Sequence, residues 1–82
     1  MNDEIIMELQ EFIEKFATQF EDTDISELTA ETEFKALDEW SSLMALSIIA
    51  MVDEEYGVAI KGKDIRESET LDDLFNVIIS LK

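Results

Sequence analysis

Two adjacent serines, Ser41 and Ser42, stand where an acidic, polar stretch gives way to the apolar run Leu43-Met44-Ala45-Leu46. A serine in front of such a run is a good helix cap, because its hydroxyl oxygen accepts one of the N–H groups that a first turn leaves without a partner. The same turn carries the positive end of the helix dipole, so an anion finds free donors there. Ser41 is expected to cap, and Ser42 to stand where an anion could be held. Few other groups can do chemistry. With no Cys and no His there is no thiol nucleophile, no imidazole base and no thiolate or His-ligated metal. Two Gly and no Pro leave no glycine-rich phosphate loop. From carboxylates, hydroxyls, six Lys+Arg and one Tyr, a hydrolase or oxidoreductase site is hard to assemble. The expectation is a protein that serves enzymes without being one, with no catalytic residue and no metal ligand of its own.

One metal pattern has to be weighed. Asp22, Asp24, Ser26 and Glu33 occupy positions one, three, five and twelve of a calcium-type loop. Position six, where the sharp turn needs Gly, is Glu27, and no periodic helix follows at once. A solvated acidic loop is the better reading.

The elements that must position the serines follow from spacing. Ile5, Ile6, Leu9, Phe12, Ile13, Phe16, Ala17 and Phe20 recur at steps of three and four, with Glu8, Glu11 and Glu14 between them, so a first helix capped by Asn2 or Asp3 has one apolar face. From Glu21 to Ser41 the periodicity lapses, which predicts a long loop pinned by Ile25, Leu28, Phe34, Leu37 and Trp40. A second helix runs from about Ser42 to Tyr56 and stops at Gly57, the residue that most readily turns left-handed past a helix end. It is apolar almost all round before Asp53, which predicts a helix surrounded by the others. A short helical turn is expected at Asp64 to Glu67. Thr70 and Asp73 then form a capping box before a last helix whose buried face is Leu71, Leu74, Phe75, Ile78 and Leu81. The fold class is therefore all-α, a small four-helix bundle with three longer helices and one short one.

At 82 residues the chain has room for one domain, spanning residues 1–82, and its 46% hydrophobic content is that of a folded globule. A net charge of −15 repels phosphate backbones and anionic headgroups, so neither nucleic acid nor membrane insertion is expected. No basic segment followed by an apolar run opens the sequence, and a cytoplasmic monomer is expected.

Trp40-Ser41-Ser42-Leu43, the long loop before it and the ending Asp53-Glu54-Glu55-Tyr56-Gly57 resemble the acyl carrier protein family. There a serine followed by leucine opens the second helix, usually as Asp-Ser-Leu and in many small free-standing members as Trp-Asp-Ser-Leu. The similarity covers about residues 3 to 81, including Thr70-Leu71-Asp72-Asp73-Leu74. It implies that Ser42 carries 4'-phosphopantetheine, drawn from coenzyme A, as an ester. The implied partners are a phosphopantetheinyl transferase and the acyl-transferring or condensing enzymes of fatty-acid or related biosynthesis. The arm's thiol would hold the acyl group, sheltered between the helices against Leu46, Ile49, Ile60 and Ile65. Leu43 would face the partners, and Met44, Ser47, Met51 and Glu54, which share one sector of the helical wheel, would form either part of the core or the docking face.

The chain departs from the family pattern in two places. Ser41 stands where the family usually has Asp. Met44 and Ser47 stand two and five residues after the serine, where carriers of the common fatty-acid type are acidic, so docking charge is confined to Asp53, Glu54 and Glu55. A specialised carrier for an aminoacyl, polyketide or lipid-modification pathway, and an unmodified acidic interaction module, are the alternatives.

Overall fold

A computed structural model describes the backbone of residues 3–82 and the side chains of residues 7–82. The expected cap at Asn2 or Asp3 and the side chains of Ile5 and Ile6 lie outside the described residues. Four helices follow in order, α1 Asp3–Ala17, α2 Ser42–Tyr56, α3 Gly62–Glu67 and α4 Leu71–Leu81, with 3-10 turns at Ile25–Glu27 and Phe34–Ala36 between the first two. No strand occurs among the described residues, and the expected all-α bundle is the architecture found.

The core is largely aromatic. α1 turns Phe12, Ile13 and Phe16 inward and leaves Glu11 and Glu14 in solvent. Phe12 meets Phe75 of α4 with ring centroids 5.9 Å apart, and Phe16 meets Phe34 edge-on at 5.8 Å. All four rings are fully buried, so truncating any one to Ala removes about 3 to 5 kcal/mol. α4 begins as its sequence predicts: Thr70 Oγ1 accepts the Asp73 N–H at 3.1 Å while Asp73 Oδ2 accepts the Thr70 and Glu69 N–H groups, each at 3.1 Å. Those backbone bonds to the charged form hold the Asp73 carboxyl below its ordinary pKa. Leu71, Leu74, Phe75 and Ile78 are buried, whereas Leu81, expected beside them, is 53% exposed because it lies in the last turn beyond the core.

The segment before α2 is more regular than a pinned loop. Asp24 caps the first 3-10 turn, accepting the Ser26 N–H at 3.0 Å, and Glu27 returns a bond to the Asp24 N–H at 3.2 Å. Leu28 and Phe34 are buried pegs, Leu37 and Trp40 pack at the margin, and Ile25 instead faces solvent, because its short turn lies on the surface. Two backbone bonds, Leu71 N–H to Thr32 O at 3.1 Å and Asp72 N–H to Ala30 O at 2.9 Å, tie the segment to the start of α4. They satisfy donors that a helix start leaves open. At the near end Glu39 accepts the Asp22 N–H at 3.0 Å, the Glu21 N–H at 3.2 Å and the Thr23 hydroxyl at 2.5 Å. The acidic stretch is thus a hydrogen-bonded scaffold that fixes where α2 begins.

α2 corrects one expectation. It is not surrounded: Leu43 is 74% and Leu46 63% exposed, Ala50 is exposed, and only Ile48, Met51 and Val52 are buried. The helix packs on α1 and α3 through one side and presents an apolar ridge to solvent on the other.

Candidate functional site

The start of α2 is set from both sides. Trp40 lies parallel to Phe16 at 6.4 Å between centroids and meets Phe34 edge-on at 5.1 Å, so the residue before the serines is clamped in the aromatic core. Ser41 follows in an extended conformation, φ −158° and ψ 171°, and its Oγ accepts the Met44 N–H at 3.1 Å, as a cap should. The Ala45 N–H reaches the Ser41 carbonyl at 3.0 Å, the first intrahelical bond. Ser42 is the first helical residue, exposed, and the N–H groups of Ser42 and Leu43 precede the first residue with an intrahelical acceptor. At the far end Gly57 takes φ 65° and its N–H closes on the Asp53 carbonyl at 3.0 Å.

Beside Ser42 opens a cavity of about 440 Å³ between the start of α2, the second 3-10 turn and α3, lined by Trp40, Ser41, Ser42, Ala45, Ile65 and Gly62, with Lys35 and Arg66 on its wall. Lys35 Nζ donates to the Arg66 carbonyl at 2.8 Å, bracing the 3-10 turn against the end of α3. The first turn of α2 holds no acidic residue, although Asp+Glu number 21 in the chain. Sequence reasoning missed Lys35 and Arg66, which lie 31 residues apart and carry no motif.

Of the residues expected to shelter an acyl chain, Ile65 lines this cavity and Ile60 is buried, while Ile49 packs partly against the core. Leu46 does not lie between helices: it points outward, because the side of α2 that meets α1 and α3 is taken by Ile48, Met51 and Val52. Of the residues expected to face partners, Leu43 and Glu54 are exposed and Ser47 is half-buried, its hydroxyl donating to the Leu43 carbonyl at 3.4 Å. Met51 is in the core at 6% exposure, and Met44 packs against it. At roughly 100° per residue, the exposed ridge is Leu43, Leu46 and Ala50, about a quarter turn from the expected Met44–Ser47–Met51–Glu54 sector. Glu55 is paired with Lys15 at 3.4 Å, leaving Asp53 and Glu54 as exposed acids next to that ridge.

This arrangement fits a phosphodiester carried on a serine. Ser42 is exposed, the helix start offers N–H donors and the dipole's positive end, no carboxylate shares the turn, and two cations flank the adjoining cavity. Ser42 itself stands at the mouth of this partly apolar trough. No helix among the described residues is long and apolar enough to cross a membrane. No curated protein matches the chain. The family profile described as "Phosphopantetheine attachment site" matches residues 6–78, nearly the whole bundle and both ends of α2, and the chain therefore belongs to that family of carriers of covalently attached 4'-phosphopantetheine.

Proposed function

We propose that the protein is an acyl carrier that accepts 4'-phosphopantetheine on Ser42 and presents thioester-linked acyl groups to fatty-acid or related biosynthetic enzymes. The observation that carries this reading is the division of labour at the start of α2: Ser41 is bonded into the helix as its cap, and Ser42 is left exposed beside N–H donors that have no intrahelical acceptor. In the transfer from coenzyme A, a partner transferase supplies catalysis and Ser42 Oγ is the nucleophile. A bond forms from Oγ to the phosphorus bearing pantetheine, the bond from that phosphorus to the adenosine bisphosphate oxygen breaks, and the hydroxyl proton leaves to the transferase or water. When attached, the arm supplies a thiol that a chain without Cys cannot.

This chain's own residues then position and present. The Phe16–Trp40–Phe34 clamp fixes the attachment point in space. The Leu43–Leu46–Ala50 ridge, with Asp53 and Glu54 beyond it, is the surface offered to transferase, loading and condensing enzymes. Docking is mainly apolar near Ser42, because Ser41, Met44 and Ser47 bring no charge there, so a specialised carrier for an aminoacyl, polyketide or lipid-modification pathway is the second reading. Intact mass measured after incubation with coenzyme A and a broad-specificity transferase tests the proposal. A gain of one phosphopantetheinyl group supports it, and an unchanged mass would leave an unmodified interaction module instead.

A further inference from the structure

Resting on the carrier reading, we infer that Arg66, braced by Lys35, holds the phosphodiester on Ser42 and thereby lays the arm along the cavity between α2 and α3, so that it does not swing free in solvent. In a chain with 21 Asp+Glu and six Lys+Arg, cations are expected to be taken up by carboxylates. The ion pairs among the described residues are Lys15 with Glu55 and Lys82 with Glu8. Neither Lys35 nor Arg66 has a carboxylate within ion-pair distance among the described residues, yet both line the cavity beside Ser42.

Two features hold the cations there. The Lys35 ammonium is pinned by its 2.8 Å bond to the Arg66 carbonyl, which leaves its other donors available. The guanidinium of Arg66 folds back along α3 onto Gly62, where an added Cβ would stand 3.3 Å from Nη1, so the absence of a side chain at Gly62 gives it room. A guanidinium has the planar donor fork that suits phosphate oxygens, and the anion brought to this position is the phosphodiester itself. Trp40, Ala45 and Ile65 offer the apolar floor on which the uncharged part of the arm can lie.

The test is phosphorus NMR of the modified protein. In wild type the phosphodiester should relax at the rate of the tumbling bundle, and the Arg66 side-chain N–H resonance should shift when unmodified protein is converted. In Arg66→Gln the phosphorus resonance should sharpen toward that of a free arm, Arg66→Lys should restore part of the immobility, and Gly62→Ala should move the Arg66 resonance while the helix content holds. Circular dichroism checks that each variant is folded, and intact mass that each is modified. Folded, modified protein in which phosphorus relaxation is the same in wild type and Arg66→Gln would overturn the inference and leave the carrier reading standing. No mass gain in wild type would overturn both.

Discussion

Ser41 Oγ accepts the Met44 N–H at 3.1 Å, and this single bond separates the roles of two neighbouring serines that are chemically alike. One is committed to holding the helix, and the next is left facing solvent. Ser41→Ala should therefore cost about 1 kcal/mol, the usual loss when a hydroxyl cap is removed, and leave the modification of Ser42 intact. Chemical denaturation of the unmodified protein, read by circular dichroism, measures the first effect. Loss of stability well beyond this would mean that Ser41 does more than cap.

Glu39 gathers the N–H groups of Glu21 and Asp22 and the hydroxyl of Thr23 onto one carboxylate. The Thr23 hydroxyl first, then the Asp22 N–H, hold its pKa below the ordinary glutamate value. A carboxyl depressed in the folded state contributes stability above its unfolded pKa, and that contribution is lost as the pH falls through the folded pKa. Glu39→Gln should thus melt below wild type at neutral pH, and the gap should close on acidification through the carboxylate range. Comparing the pair at each pH cancels the relief of self-repulsion that protonation brings to both proteins. A gap independent of pH would show that the bonds to Glu39 act by shape alone.

The two faces of α2 make opposite predictions. Leu46→Glu changes an exposed side chain and should alter stability by no more than about 0.5 kcal/mol, while reducing the rate of modification or acyl loading by partner enzymes. Met51→Ala opens a cavity in the core and should cost about 2 to 5 kcal/mol, with loading by folded protein little changed. Thermal melts alongside loading rates distinguish them. A Leu46→Glu protein that melts far below wild type would return that residue to the core.

Much of this organisation is legible in the sequence, and the part that is not has a physical reason. The helix ends are local: Ser41, Gly57 and the Thr70–Asp73 box act on backbone groups within a few residues, so their types and spacing suffice. The inner faces of α1 and α4 stand out because charged residues mark the opposite side. α2 offers no such contrast, since Leu43, Leu46 and Ala50 are exposed and as apolar as the core they leave, and the buried side could be fixed only by what α1 and α3 bring to it. That is why neither the burial of Met51 nor the exposure of Leu46 is fixed by spacing alone. Within the site, Ser42 is visible from the helix start, whereas Lys35 and Arg66 meet across 31 residues through one hydrogen bond and leave no periodic trace.

The central claim is that Ser42, and no other hydroxyl of this chain, receives the phosphopantetheine arm. Intact mass after treatment with coenzyme A and a transferase, run side by side on wild type, Ser41→Ala and Ser42→Ala, tests it most directly. One added phosphopantetheinyl group is expected on wild type and Ser41→Ala and none on a folded Ser42→Ala. An undiminished gain on Ser42→Ala, or its loss from a folded Ser41→Ala, would contradict it.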